Sequence, residues 1–269
     1  MDASFLPQGG KLASYIFGGG FIVLAVAETF LPFRELKVSL PRRWLNHGAL
    51  FAINMAALKL VFRATGVAVA AMVAASPYGV LNRDAVPYAV RLVLGVALVD
   101  LTHYTQHFLY HRIPWLWRVH RVHHTDPDFD VTTGFRFHPI EAVITQGLTL
   151  VVIAVFAPPA LSVAIAEGAS GVQDLLEHTN VAIPAWLDRT VRRAFVTSNM
   201  HRIHHSVEVD EQGRNLGTIF SWWDRMFGTY AENPSVPQDQ MKTGLAGYPD
   251  ARSANIVSTL THPFEGPDA

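Results

Sequence analysis

The long apolar runs constrain this chain most, because a segment inside a bilayer must satisfy its own backbone hydrogen bonds and so must be helical unless a barrel closes. A span needs roughly 20 mostly apolar residues. Leu12 to Leu31 meets that length, and so does Ala49 to Ala75, despite Lys59 and Arg63. Those two cations are expected to snorkel or to pair inside a bundle. Pro87 to Leu109 reads as a third span, apolar at its start and polar at its end. Ile140 to Phe156 and Ala160 to Leu176, parted by Pro158 and Pro159, read as a helical hairpin. Each arm is near the lower limit for crossing, so the hairpin is either transmembrane or re-entrant. Beyond Glu177 no run is long and apolar enough to cross. The expected fold class is all-α. It is one integral membrane helical bundle over residues 1–269, with spans at 12–31, 49–75 and 87–109, a hairpin at 140–176, a helical cap at 177–230 and a C-terminal tail at 231–269.

Composition agrees with a membrane class. Only 16% of the residues are charged and 50% are hydrophobic, against about 25% charged in soluble domains. A net charge of -1 gives no case for a nucleic-acid partner. The absence of cysteine excludes disulfides, thiolate metal sites and cysteine nucleophiles. Met1 to Lys11 carries Asp2 and no basic cluster, so the first run is expected to stay as a span rather than be cleaved.

Basic residues in short loops set orientation. The first loop holds Arg34, Lys37, Arg42 and Arg43, whereas the second, Ser76 to Asp84, holds only Arg83. The first loop is therefore expected in the cytoplasm. The third span returns there at His107 to Arg121, a segment with Arg112 and Arg118, and the hairpin leaves the C-terminal part on the same side. Seventeen of the 21 basic residues are Arg, a codon-usage sign of a GC-rich bacterial genome, and the expected location is a bacterial inner membrane.

The histidines then converge. His107 and His111 form H-x3-H at the end of the third span. His120, His123 and His124 form H-x2-H-H, His178 ends the hairpin, and His201, His204 and His205 repeat H-x2-H-H. Residues three or four apart share a helix face, so each cluster can aim its imidazoles at one point. Imidazole suits iron, zinc, copper or nickel, so ligand type does not choose the metal. A hydrolytic zinc site needs three protein ligands, and no H-E-x-x-H is present. Two redox metals that activate dioxygen account better for nine histidines. A membrane protein that binds or moves metal is a second reading, but Lys59, Arg63 and Glu167 are too few and too cationic for an ion path. A zinc-dependent membrane hydrolase is a third. Of the remaining histidines, His103 lies one turn before His107, as an outer-sphere group or an ordinary helix polar. His138, before Pro139, is expected to cap the hairpin entry. His47 and His262 are expected at the surface.

In this order and spacing the chain resembles the fatty acid hydroxylase superfamily, also called the sterol desaturase family. The matching text begins at Asp100 and runs through His107 and His111 to Trp117, His120, His123 and His124. It continues through His138-Pro139, Glu177-His178-Thr179-Asn180 and His201, His204 and His205, then Asn215 and Trp223-Asp224 to Thr229. The resemblance implies a di-iron centre, with the metal ligands falling on His107, His111, His120, His123, His124, His178, His201, His204 and His205. It further implies dioxygen-dependent attack on a C–H bond of a lipid-like substrate, such as a fatty acyl chain or a sterol, with hydroxylation or desaturation as outcomes. Zinc is expected to compete for such a site in overexpressed protein. Some members carry a further histidine four residues before the one matching His178; here that place holds Asp174. Asp174 is then a ligand, an acceptor for an imidazole N–H, or a plain helix polar. Asn215 and Asp224 either orient ligands or, like Trp222, Trp223 and Phe227, pack the cap.

No flavin or dinucleotide fingerprint is present, so electrons must come from a separate donor such as a ferredoxin, a cytochrome or a reduced pterin. Arg118, Arg121, Arg192 and Arg193 offer such a donor a basic face, although positive-inside topology explains the same charges. A lipid-like substrate needs an apolar route to the metals. It is expected between the third span and the hairpin, lined by Phe108, Phe137, Ile144 and Leu148.

Overall fold

The computed structural model describes residues 5–82 and 85–266, with side chains from Ser14 onward. The N-terminal charge pattern at Met1 to Ser4, and Arg83 and Asp84 of the orientation argument, lie outside the described residues. All regular structure among the described residues is helical, and strand-like pairing is confined to isolated bridges.

Helix α1 covers Phe5–Phe30, α2 Leu40–Val61 and α3 Gly66–Val73. The expected second span thus begins earlier than the apolar pattern suggested, with Pro41 in its first turn, and breaks at Phe62 to Thr65. Thr65 restarts the helix by accepting the Ala68 N–H at 3.2 Å, a standard N-cap role. Lys59 and Arg63 are exposed around this break, so neither pairs within the bundle core. Helix α4 covers Tyr88–Arg112, α5 Pro114–His124, α6 Pro139–Phe156 and α7 Ala160–Glu177. His138 caps α6 as expected, its ring nitrogen accepting from the Ile140 N–H at 3.2 Å.

Among the described residues two helical stretches, Leu40–Val73 and Pro139–Phe156, are long and apolar enough to cross a membrane. Helices α4 and α7 form where the third span and the second hairpin arm were expected. Their buried Asp100, Gln106, Gln173 and Glu177 make them less apolar than lipid-facing spans. An apolar core of Ala70, Val99, Ile153, Val163 and Ala166 joins α3, α4, α6 and α7. Helices α4 and α7 approach so closely that a Cβ on Gly95 would lie 2.2 Å from Ser162 Oγ.

Below this apolar layer lies a polar one. Arg43 is 1% exposed. It forms a two-pronged pair with Asp126, donates to Asp130 Oδ2 at 2.5 Å and reaches Thr133 Oγ1 at 3.2 Å. His47, expected at the surface, is buried in this layer with Nδ1 2.7 Å from Thr132 Oγ1. Arg136 spans it too, donating to the Val122 carbonyl at 3.0 Å and the Ser253 carbonyl at 2.5 Å. Arg43 counted as loop charge in the sequence; Asp126, Asp128 and Asp130 from one distant loop make it interior.

The cap contains α8 at Ala185–Val191, α9 at Ser198–His204, α10 at Val209–Gln212 and α11 at Trp222–Phe227. The C-terminal segment is no loose tail. It forms α12 at Asp250–Ser253 and α13 at Ile256–Thr261 and packs on α2 and α5. His262, expected at the surface, is fully buried there. Arg121 donates to the His262 carbonyl at 2.8 Å, and Arg192 pairs with Asp188 at 2.5 Å. Two of the four arginines offered as a docking face are therefore internal ties.

Candidate metal centre

Helix α5 carries one H-x2-H-H and α9, with its C-cap His205, carries the other. Thr197 starts α9 by accepting the Met200 N–H at 3.3 Å while its hydroxyl donates to Asp188 at 2.6 Å. Together with α4 and the end of α7, these helices bring all nine expected histidines to one site.

The nitrogens sort into two groups. One nitrogen each from His107, His111, His120, His124 and His204 lie within 4.8 Å of one another, and so do those of His123, His178, His201 and His205. The two H-x2-H-H motifs split in opposite senses. His120 and His124, an i,i+4 pair, serve the first group and His123 the second. His201 and His205, also i,i+4, serve the second group and His204 the first. His107 and His111 add another i,i+4 pair to the first group. In the second group His178 stands alone, because Asp174 occupies the place one turn before it. Asp174 lies behind the ring instead: its backbone carbonyl is 2.7 Å from His178 Nδ1 and its carboxylate 3.3 Å. This is the geometry of an acceptor for the imidazole N–H, the second of the three roles the sequence left open.

Proton positions follow from the acceptors. The Leu216 carbonyl takes the Nδ1–H of His107 at 2.9 Å, and the Arg214 carbonyl that of His204 at 3.0 Å. Glu141 Oε1 takes the Nδ1–H of His120 at 2.6 Å. The Nε2 atoms of His107 and His204 therefore carry lone pairs, yet they face each other at 3.0 Å. Two lone pairs so placed repel unless a cation lies near both. The Nε2–Nε2 spacings of His178 to His123, His178 to His201 and His205 to His201 are 3.1, 3.0 and 3.1 Å. Nitrogens bound to one first-row ion at about 2 Å must lie about 3 Å apart, so the donor set fits a metal in each group. His111 Nε2, buried without a hydrogen-bond partner, also fits.

Burial favours the neutral, ligating form. It pushes His123, His124, His201 and His205 well below the usual histidine range and His204 down to about 3, with the neighbouring imidazoles adding to the effect. Phe137 stacks on His123 with centroids 4.6 Å apart, and Phe129 covers His178 and His205 at 5.5 and 5.3 Å.

Asp224 and Asn215 act through the loop that supplies the two carbonyls. Asp224 accepts the Leu216 N–H at 2.7 Å and the Gly217 N–H at 3.0 Å. Asn215, left-handed at φ 52°, ties the Met200 and Ala231 carbonyls at 3.0 Å each. Asp100 holds the next turn through the Ile219 N–H at 3.0 Å and Trp223 Nε1 at 2.8 Å. Glu141, Phe129 and the ordering role of Asp100 were missed in the sequence. Glu141 sits in the first turn of a helix, where an acidic residue reads as a dipole partner. His103 belongs to neither group; its Nδ1 lies 3.2 Å from Ser170 Oγ.

A cavity of about 460 Å³ reaches both groups, at His107 and His120 on one side and His123, His178 and His201 on the other. Phe137 lines it, whereas Phe108, Ile144 and Leu148 do not. Ile144 packs with Tyr110, Leu116 and Val119, Phe108 stacks on Tyr104 at 6.5 Å, and Leu148 is 46% exposed. Helix α6 presents Glu141, Ala142, Thr145 and Gln146 to the cavity instead, a face marked in its sequence by the polar residues Glu141, Thr145 and Thr149 at four-residue spacing.

A family model described as fatty acid hydroxylase matches residues 92–229, just over half of the chain. The chain belongs to the fatty acid hydroxylase family. It is 26% identical over 146 residues to a human alkylglycerol monooxygenase, a match covering 51% of this chain and 30% of that protein. It is also 26% identical over 133 residues to the Caenorhabditis elegans alkylglycerol monooxygenase, covering 49% of this chain and 25% of the relative. The chain thus matches less than a third of the length of these relatives. No solved structure matches it.

Proposed function

We propose that the chain is a dioxygen-dependent, di-iron membrane oxygenase that hydroxylates a C–H bond of a lipid-like substrate. The observation that carries this reading is the pair of unprotonated Nε2 atoms of His107 and His204 facing at 3.0 Å. Family membership and the alkylglycerol monooxygenase relatives support the reaction class and the lipid. His107, His111, His120, His124 and His204 would hold one ion, and His123, His178, His201 and His205 the other. When bound, such ions supply the oxidising power that side chains lack. One oxygen atom of dioxygen enters the C–H bond; the other leaves as water, using two electrons and two protons from an external reductant such as a ferredoxin, a cytochrome or a reduced pterin.

The residues around the site position and protect. The Leu216, Arg214 and Asp174 carbonyls and Glu141 fix which nitrogen of His107, His204, His178 and His120 faces inward. Phe137 and Phe129 exclude water from the rings they cover. Helices α1, α2, α4, α6 and α7 would cross or enter the membrane, with the metal centre at its cytoplasmic face. The test compares lipid extracts of cells with and without the protein by mass spectrometry, alongside dioxygen uptake by the purified iron form. Gain of one oxygen atom in a lipid supports hydroxylation, and loss of two hydrogens would make it a desaturase. Iron-loaded protein that takes up no dioxygen with any lipid extract overturns the reading.

A further inference from the structure

The nine histidines are not equally enclosed. All four imidazoles of the second group are buried, whereas His111 of the first is half-buried. Among the described residues four aromatic side chains pack on these rings. Tyr110, 5.3 Å from His120, is buried, and so is Phe129 over the second group. Phe137 faces the cavity. The fourth, Trp117, is half-buried on α5. Its ring centroid lies 5.0 Å from that of His111, 5.3 Å from that of His124 and 6.2 Å from that of His120, all of the first group. Trp117, His120 and His124 are spaced three and four residues apart, so the indole continues the row of imidazoles toward the start of α5.

The surface around the indole is aromatic and cationic. Trp115 is 61% exposed, and Arg112 and Arg118 are exposed beside it. Neither arginine pairs with a carboxylate among the described residues. Arg118 donates to the Glu265 carbonyl at 2.7 Å, and Arg112 lies over the Phe108 ring at 5.1 Å. The Glu265 carboxylate is taken by Arg252 and His262. No acidic residue occurs from Tyr110 to His124. The patch follows the histidine-bearing end of α4, on the side read as cytoplasmic, where it meets proteins rather than lipid. Exposed tryptophan beside arginine is the composition of protein-binding hot spots.

Resting on the oxygenase reading, we propose that this face docks an acidic one-electron carrier protein, and that Trp117 passes its electrons to the first metal group through His111 and His124. Each encounter moves one electron. The carrier is oxidised by one, the ion of the first group is reduced by one, and no bond or proton moves. Two encounters supply the two electrons that one hydroxylation needs. Arg112 and Arg118 steer the carrier by charge, and Trp115 makes the rim of the contact. The second group, buried on all sides, receives electrons only by way of the first.

The chain has no cysteine, so one introduced thiol takes one label. Trp115→Cys and, as a control four residues after His205, Val209→Cys at an 80% exposed position on α10 each receive a photoreducing ruthenium complex. Flash photolysis of full-length, oxidised iron-loaded protein in lipid nanodiscs, without substrate or dioxygen, reads the rate of iron reduction. Trp117→Leu should slow injection from position 115 at least about tenfold, with iron content unchanged and injection from position 209 unaffected; Trp117→Phe should slow it less. No slowing from position 115, or equal slowing from both positions, overturns the route. Stopped-flow reduction by an acidic [2Fe–2S] ferredoxin tests the partner, and decides alone if the Trp117 variants lose iron. Its rate should fall with added salt, and at least about tenfold when Arg112→Glu is combined with Arg118→Glu. A rate indifferent to salt and to charge reversal, or no reduction by the ferredoxin, overturns the docking face. Electron injection through Trp117 without oxidation of any lipid sinks only the oxygenase, and lipid oxidation with injection indifferent to Trp117 sinks only this route.

Discussion

His120 and Glu141 are joined across 2.6 Å, the imidazole Nδ1–H donating to Oε1 with both side chains buried. This bond sets the ring so that Nε2 points at the first nitrogen group. Glu141→Gln replaces the carboxyl acceptor by an amide. It should lower metal affinity of the first group by about 10–100-fold, the usual cost of losing an outer-sphere partner. Competitive metal titration with a chromophoric chelator reads this directly, and the second group should keep its ion. An affinity within twofold of the unaltered protein would remove Glu141 from the account.

The opposite splitting of the two H-x2-H-H motifs makes a sharper expectation. His204 and His205 are neighbours in sequence but serve different groups. His204→Ala should empty the first group and His205→Ala the second, each variant keeping about one ion per chain by elemental analysis. Loss of both ions from each folded variant would mean that the groups do not hold metal independently.

Much of this site was legible because histidine spacing maps directly onto helix faces. His107 with His111, and each H-x2-H-H, needed only the i,i+4 rule to converge. The partition into two groups was not legible. It depends on where α5 and α9 sit relative to each other, and no local pattern encodes that. Arg43 and His47 were misplaced for a related reason. A charge reads as surface until a partner is known, and Asp126 and Asp130 lie more than eighty residues away. The rotation of α6 was legible in the residues, since Glu141, Thr145 and Thr149 recur every four positions on one face, but the apolar weight of the rest of the run masks that stripe.

Acid should destabilise the metal-free chain in a defined window. Burial holds His204 at about 3 and His123, His124, His201 and His205 well below the ordinary value, whereas the unfolded chain titrates near about 6.5. Below that pH the unfolded state binds more protons, so stability is fully present above it and falls as pH drops toward the folded values. The slope approaches about 1.4 kcal/mol per pH unit for each such histidine. Bound metal holds the neutral form and should move the loss to lower pH. Thermal unfolding of chelator-treated and metal-loaded protein between pH about 7.5 and 5.5 checks this. Identical pH profiles for the two forms would contradict it.

The loop carrying the Leu216 carbonyl depends on Gly217. A Cβ there would stand 2.8 Å from the Phe220 carbonyl and 2.9 Å from Asp224 Oδ2. Gly217→Ala should cost about 1–3 kcal/mol and loosen His107, lowering metal occupancy of the first group before the second. Chemical denaturation and elemental analysis measure the two effects separately. Full occupancy of the first group in a destabilised variant would show that the loop supports the fold without orienting His107.

Cavity shape is tested on α6, where Ala142 and Leu148 face different ways. Ala142 lines the cavity, whereas Leu148 is 46% exposed and does not. A tryptophan at Leu148 adds volume outside the bundle, where nothing needs to move. A tryptophan at Ala142 takes up a large part of a cavity of about 460 Å³, within reach of both nitrogen groups. Ala142→Trp should therefore raise KM or shift the position oxidised, with metal content intact, while Leu148→Trp should change neither. Product analysis by mass spectrometry with matched metal assays decides it. If Leu148→Trp alters the product and Ala142→Trp does not, the substrate enters between α4 and the outer face of α6, and the cavity next to the histidines serves some other purpose.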